Sequence, residues 1–318
     1  MLHLLLVAGM AHASTEPVIA LEPGWAEVAA AAELDVDTVQ RLVGSAELQP
    51  DVLSRMATPW EAKPWAEYGP IFLDDKRIAN GAAFWSTHRT RLEQAEAETG
   101  VPAEIIVAIL GVETRYGQVM GGDRVADALY TLGFYHPRRG AFFRKELGHF
   151  ARLCHDQDWE ASDRLGSYAG AMGMAQFMPS SYRAWAVDGN ADGSRDLFST
   201  PDDAIASVAN YLKAHGWKRG EPILQSVEGE PDTLAAQHSK GLKLNTTWGD
   251  LGDAGVRSAE PLAPESPVRL FRFQTESGPE YRVGRTNFYV ITRYNHSALY
   301  ARAVFELSER IRAAVDLP

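Results

Sequence analysis

The stretch VPAEIIVAILGVETRYG, Val101 to Gly117, runs an apolar helical pattern straight into a glutamate. Proline is tolerated at the first helical position and pushes the residue before it out of helical geometry, so Val101-Pro102 marks the start. Gly117 fits a C-terminal stop. Ile106, Ile109, Leu110 and Glu113 recur at helical spacing and share one face. That face is apolar, which predicts burial and carries Glu113 inward with it. Burial disfavours the charged form of a carboxyl group and raises its pKa. A carboxylic acid still protonated near neutral pH can protonate a leaving-group oxygen. A glutamate at a helix end can also simply pair with a cation such as Arg115. This stretch alone leaves both readings open.

The rest of the chain decides what can cover such a helix. With 318 residues, 45% of them hydrophobic and 23% charged, it can form one large domain or two to three smaller ones. Glu22 to Met56 reads as one or two helices, and Pro59, Pro64 and Pro70 break the pattern that follows. Helical texture resumes over Lys76–Glu98, then over Arg124–Leu153 with an interruption at FYHPRRG. Pro201–His215 has the full set of helix signals: Thr200 as N-cap, Pro201 at the first position, Asp202 and Asp203 in the first turn, Gly216 as stop. After Trp217 the texture changes. Residues 221–290 are rich in Gly, Pro and Thr, and the alternating runs PVRLFRFQT and EYRVGRTNFYVITRY predict strands. ALYARAVFELSERIRAAV then returns to helix. The fold class is therefore mainly α (α+β), a helical body with a small β-rich module inserted before its last helix.

Charge and cysteine content exclude several functions. A net charge of −11 argues against a general affinity for nucleic acid or anionic membrane. The single cysteine, Cys154, excludes an internal disulfide and a cysteine-based zinc site, and reads as a small buried hydrophobe. Leu2 to Met10 is far shorter than the roughly 20 apolar residues of a transmembrane helix. It has the character of a secretory signal core, with Ala11-His12-Ala13 as the cleavage site and no basic residues before it. Export is therefore expected, and with no cysteine after the apolar run a lipoprotein anchor is not. Phosphate-loop, nucleophile-elbow and HExxH signatures are absent from the sequence.

A second stretch bears on Glu113. GSYAGAMGMAQFMPSSY, Gly166 to Tyr182, has small residues at Gly166, Ala169, Gly170 and Gly173 that let backbone approach another surface closely. Ser167 and Gln176 are suited to the hydroxyl and amide groups of a sugar, and Tyr168 and Tyr182 offer aromatic faces. A tight packing segment would have the same glycines. GVETRYG followed by GSYAGAMGMAQFMPSSYRAWAVD resembles the membrane-bound lytic murein transglycosylase B family, lysozyme-like enzymes that cleave peptidoglycan strands. The resemblance continues in order through DGNADGSRDL, DDAIASVANYLKAHGW and NFYVITRYNHSALYARAVFEL, over roughly residues 60–310, and is weakest at 221–280.

That resemblance implies a lysozyme-like helical core flanked by an α-domain and a small β-domain. The division it suggests is a signal segment at 1–13 and an α-domain from 14–57 and 118–163. The catalytic core comes from 58–117, 164–217 and 291–318, and the β-domain from 218–290. Glu113 is implied as the sole catalytic acid and base, with Ser167 and Gln176 lining the saccharide cleft. Tyr294 and Asn295 are implied to reach the cleft, and Tyr211 is a weaker candidate for sugar contact. Arg138 and Arg139 match a pair that meets the acidic stem peptide in the family; a solvated loop is the other reading.

DGNADGSRD places oxygen donors at alternate positions, Asp188, Asn190 and Asp192, with Gly193 sixth for the sharp turn. That is the opening half of an EF-hand-type loop, in which Ser194 would offer its carbonyl at the seventh position. The twelfth residue is Ser199, where such a loop normally has glutamate. The resemblance implies an elongated loop over 188–203 that closes on Asp202 or, preferably, Asp203. The expectation is a weak structural site for calcium or another hard cation, against the alternative of a solvated acidic turn. No organic cofactor is expected.

The function so implied is an exported, periplasmic, monomeric lytic transglycosylase. It would cleave between N-acetylmuramic acid and N-acetylglucosamine with formation of 1,6-anhydro-N-acetylmuramic acid, acting on glycan strands that carry stem peptides. A muramidase using water, or a non-catalytic peptidoglycan-binding protein, are the alternatives. A retaining glycosidase needs a second carboxylate about 5 Å away, and Gly166–Tyr182 contains no acid.

Overall fold

The computed structural model of the chain describes residues 22–57, 63–260 and 262–316. The expected signal segment 1–13 and Pro59 lie outside the described residues. Three short helices open the described chain, α1 (Glu22–Ala32), α2 (Val36–Val43) and α3 (Pro50–Met56), where the sequence suggested one or two. The breaks have local causes. Glu33 takes a left-handed backbone (φ 57°), Asp35 caps α2 by accepting the Thr38 amide at 2.8 Å, and Pro50 starts α3. α4 (Trp65–Tyr68) leads to α5 (Asp75–Thr87) and α6 (Arg89–Thr99), which divide the single helix expected over Lys76–Glu98. The Ser86 and Thr87 hydroxyls bond back to the Ala82 and Ala83 carbonyls, and His88 leaves helical geometry between the two pieces.

The glutamate helix is α7 (Ala103–Thr114). It is more central than the one-face reading allowed, for every residue from Ala103 to Gly111 is buried. α15 (Ala298–Val315) and α5 pack against it, as does α11 (Pro201–Ala214) together with α6. Beside this body, α8 (Val125–Tyr135) and α9 (Gly140–Gln157) are joined across the FYHPRRG turn, with α1 and α2 along α9 and α3 on α8. A two-stranded ladder of β1 (Asp123–Arg124) and β2 (Leu165–Gly166) ties α8 to the small-residue loop, which runs into α10 (Pro179–Trp185).

The β-rich region holds a four-stranded antiparallel sheet in the order β3-β6-β5-β4. Its strands are β3 (Leu224–Ser226), β4 (Thr246–Thr247), β5 (Pro267–Thr275) and β6 (Gly278–Gly284), with Leu270 opposite Val283. Two helices, α12 (Pro231–Gln237) and α13 (Trp248–Asp253), cover a separate apolar cluster of Leu234, Leu251, Val256, Val268, Leu270 and Val283. One expectation fails here. The second half of EYRVGRTNFYVITRY is not strand but helix, α14 (Thr286–Tyr294). Asn287, fully buried, accepts from the Lys218 amide and donates to the Lys218 and Glu221 carbonyls, pinning that turn to the core. Phe288, Val290 and Ile291 join the main core, so a boundary between 290 and 291 cuts through this helix.

Candidate active site

α7 ends in an unusual way, and Glu113 sits in its last turn. Arg115 and Tyr116 both take left-handed backbone (φ 52° and 62°) before Gly117 does (φ 84°), so the stop comes two residues earlier than glycine alone predicted. Non-glycine residues adopt this region only when their surroundings hold them there. Here the Tyr116 hydroxyl donates to the Arg77 carbonyl at 2.8 Å, and its ring lies over Gly111, where a Cβ would fall 2.6 Å from the hydroxyl oxygen. The Thr114 hydroxyl donates to the Met174 carbonyl at 2.8 Å and accepts the Gly117 amide at 2.9 Å. The helix end and the small-residue loop are thus fastened to each other.

The Glu113 side chain stays partly exposed while its carboxyl group is desolvated. Burial pushes its pKa up to about 7, and a hydrogen bond from Tyr300 opposes the rise. The Tyr300 hydroxyl donates to Glu113 Oε1 at 2.6 Å. Burial and the nearby Glu113 charge both hold the Tyr300 phenol well above its ordinary pKa, so it remains a donor. Among the described residues no acid is close enough to perturb Glu113, and the carboxyl group has no carboxylate partner. Tyr300 and Thr114 were not singled out from the sequence. Neither has a spacing signal, and only the fold brings α15 to the end of α7.

The other expected residues divide into two groups. Tyr294 stacks on Tyr300 (centroids 6.5 Å apart, planes at 9°) and donates to the Ala175 carbonyl at 2.6 Å. Asn295 follows, exposed. Ser167 is half-buried and accepts the Ala169 and Ala171 amides through its hydroxyl, shaping the loop. Gln176, in left-handed backbone (φ 48°), spends its amide donors on the Met120 and Gly173 carbonyls. Gly173 is required beside it, since a Cβ would fall 2.5 Å from the Leu197 carbonyl oxygen. Two of the expected residues lie deep. Tyr211 is buried with its hydroxyl on the Arg293 carbonyl and its ring against Tyr294. Tyr182 is likewise a core residue whose hydroxyl donates to the Arg195 carbonyl and accepts the Leu197 amide. Arg138 and Arg139 are exposed in the turn between α8 and α9, away from α7 in sequence and in element contacts. The Arg139 guanidinium lies 4.8 Å from the Phe142 ring centre.

In the acidic loop, Asp188 accepts the Asp192 and Gly193 amides, Asn190 Oδ1 accepts the Asp192 amide, and Asp192 accepts the Ser194 amide. Gly193 takes the left-handed turn expected of the sixth position (φ 90°). Asp203 is fully buried, and its two oxygens accept the Gly189 and Asp196 amides at 2.7 Å each. Burial, and after it the Asp188 and Asp192 charges, raise its pKa. Ser199 turns its hydroxyl to Asp196 and offers no carboxylate. Among the described residues no three acidic, imidazole or thiol side chains form a metal cage by themselves. The donor set fits a hard cation only with Asn190 and a main-chain carbonyl included.

The Transglycosylase SLT domain family matches residues 21–309. The chain is 42% identical to membrane-bound lytic murein transglycosylase B of Escherichia coli K12 over 250 residues, 79% of this chain and 68% of that protein. Its structure resembles the lytic transglycosylase SltB1 of Pseudomonas aeruginosa (TM-score 0.87, 44% identity, 92% of this chain and 97% of that one). It also resembles Escherichia coli Slt35 in complexes with bulgecin A and with calcium (TM-score 0.84, 38% identity, 93% of both chains).

Proposed function

The chain belongs to the transglycosylase SLT domain family as a lytic murein transglycosylase, and from that premise we propose that Glu113 alone performs its acid–base chemistry. The carrying observation is a desolvated carboxyl group with a tyrosine donor and no carboxylate partner among the described residues. Tyr300 occupies Oε1, which leaves the proton on Oε2 for the glycosidic oxygen between N-acetylmuramic acid and N-acetylglucosamine. As that bond breaks, the muramyl 2-acetamido oxygen meets the charge developing at C1, as in substrate-assisted glycosidases. The Glu113 carboxylate then takes the proton of the C6 hydroxyl while its oxygen attacks C1, closing the 1,6-anhydro ring. An aligned intramolecular hydroxyl competes with water at an effective concentration of order 10⁵ M or more.

Ser167, Gln176, Tyr294 and Asn295 would line the cleft around this reaction, with Tyr211, packed against Tyr294, as the weaker candidate for sugar contact. Arg138 and Arg139, both exposed, would meet the acidic stem peptide. Asp188, Asn190, Asp192, the Ser194 carbonyl and Asp203 would hold a structural calcium, a reading supported by the calcium complex of Slt35. We place the protein in the periplasm, as a monomer. No helix among the described residues is long and apolar enough to cross a membrane. The three-part domain division stands as part of this reading, with the last core segment beginning at α14. Mass analysis of products from purified peptidoglycan tests the function. Muropeptides lighter by one water than the hydrolytic product are expected, and reducing-end muramic acid as the main product would overturn the single-glutamate mechanism.

A further inference from the structure

The end of α7 carries a positive pocket that the acid–base chemistry does not use. A cavity of about 30 Å³ lies between the start of α5 and the left-handed turn after Thr114, with Lys76, Arg77 and Arg115 on its wall. In a chain of net charge −11, three cations around one small cavity are a local exception. Asp74 is the one acid among the described residues that line it, and it is committed to Arg77. It accepts the Arg77 amide at 2.9 Å and stands 3.6 Å from the Arg77 Nε. Three cations against one acid leave two positive charges in excess, and the Asn80 and Gln118 amides add neutral donors.

Arg77 is held in place as the floor of this pocket. It is 5% exposed, its Cζ lies 5.2 Å from the Phe72 ring centre, and Nη1 donates to the Gly111 carbonyl at 3.2 Å. Nε is sealed from solvent and Nη1 is engaged, so the Nη2 edge is what the guanidinium can offer a ligand. Burial lowers the Arg77 pKa, Asp74 opposes the fall and Arg115 adds to it, so the cations stand near enough to repel. An anion between them would relieve that repulsion. Lys76 and Arg115 are exposed and border the cavity, so a ligand arriving from solvent meets accessible charges. Arg115 also holds φ 52°, where glycine would end the helix with less strain. What arginine adds at that position is its charge.

The pocket lies beside the chemistry. Arg115 follows Glu113 by two residues, so their Cα atoms are at most ~7.6 Å apart. On the other side a run of rings leads back to the carboxyl group. The Phe72 ring lies 5.1 Å from Tyr68, the Tyr68 phenol is an electrostatic neighbour of Tyr300, and Tyr300 bonds Glu113. Size selects the ligand. A water needs roughly 10–15 Å³ of such space, so the cavity admits about two oxygens, the head of a carboxylate and not a phosphate. Guanidinium and ammonium donors suit that head. We propose that this pocket is a carboxylate-binding subsite at the edge of the cleft, seating an acidic group of the peptide borne by the glycan strand. That the carboxylate belongs to the substrate rests on the family reading; the pocket's preference for a carboxylate does not. A carboxylate seated there ties the strand to the turn that carries Glu113 and favours strands that bear peptides.

Calorimetry on the full chain carrying Glu113→Gln reads binding without turnover, independently of the acid–base mechanism. Arg138→Ala and Arg139→Ala are included so that the exposed turn contributes nothing. Two probes are compared: a GlcNAc-MurNAc tetrasaccharide bearing L-Ala-D-Glu on each muramyl unit, and the same molecule with its carboxylates converted to amides. The acid form is expected to bind about tenfold more tightly. Adding Arg115→Gly and Lys76→Gln should erase that preference. Glycine suits the left-handed backbone, so the turn keeps its shape, and a thermal melt verifies the fold. Equal binding of acid and amide before those two changes, or a preference that survives them, overturns the proposal. Acetate at constant ionic strength distinguishes a free ion from the substrate. If acetate raises the melting temperature only while Lys76 and Arg115 are present, and the two probes bind alike, the pocket takes free carboxylates and its assignment to the strand fails. A failed mechanism would appear separately, as a hydrolytic product.

Discussion

The Glu113 carboxyl group is pulled two ways, upward to a pKa of about 7 by burial and downward by the Tyr300 hydrogen bond. The proton must be present at the start of the cycle, so kcat/KM should be level below pH 7 and fall as pH rises through about 7. Tyr300→Phe removes a contact that favours the ionised form. The alkaline limb should then move to higher pH, with kcat reduced on the order of tenfold by lost orientation; a limb that stays in place or moves down would dissociate Tyr300 from the titration. Glu113→Gln should fold and lose at least about 10²-fold in turnover. Linkage gives it a second signature. The folded pKa lies above the ordinary 4.5, so the unfolded chain releases its proton first as pH rises, and stability declines from about pH 4.5 until the folded group has also ionised near 7. Relative to the wild type, the amide variant should therefore gain stability between pH 5 and pH 8, by on the order of 3 kcal/mol. Thermal melts at the two pH values check it. Glu113 was legible because it is a charge where helical period demands burial. Tyr300 was not, because nothing local distinguishes a tyrosine that packs from one that donates.

Elements whose pattern was set by their own residues were readable from sequence. β5 matches PVRLFRFQT and α15 matches ALYARAVFELSERIRAAV residue for residue. α14 was not readable, because its β-branched and aromatic residues favour strand locally and the deciding contacts run from Asn287 to Lys218 and Glu221, 69 and 66 positions away. The end of α7 lies between these cases. Its glycine stop was visible, but the two left-handed residues before it are held by Thr114, Tyr116 and α5. Thr114→Val keeps the shape and removes the hydroxyl that joins Met174 to Gly117. It should lower stability by about 1–3 kcal/mol. Because the lost tether positions Glu113, kcat should fall more than KM rises. A kcat equal to the parent's, in protein of reduced melting temperature, would make the tether purely structural.

For the whole molecule, the acidic loop joins α10 to α11, and α11 packs on α7 and α6, so anything that fixes the loop braces the body carrying Glu113. The sequence disclosed the loop's alternating oxygens, while the double role of Asp203 needed the fold. Buried Asp203 ties Gly189 to Asp196, whereas the hydrogen bonds of exposed Asn190 and Asp192 stay within the turn itself. This separates brace from ligand. Calcium added to metal-free protein should raise the melting temperature, since a ligand of the folded form alone stabilises by RT ln(1 + [L]/Kd), about 2.7 kcal/mol at 100 times Kd. Asp192→Ala should abolish most of that gain and change the metal-free melting temperature only slightly. Asp203→Asn should destabilise the protein with or without calcium by about 1–3 kcal/mol, because one backbone amide loses its acceptor on this buried side chain. Calcium should leave the pH limb of Glu113 where it was, as none of the proposed ligands touches that carboxyl group. Scanning calorimetry of the three proteins, with chelator and then with millimolar calcium, reads both effects. A wild-type melting temperature that calcium does not move would remove the metal from this loop and leave Asp203 as its brace.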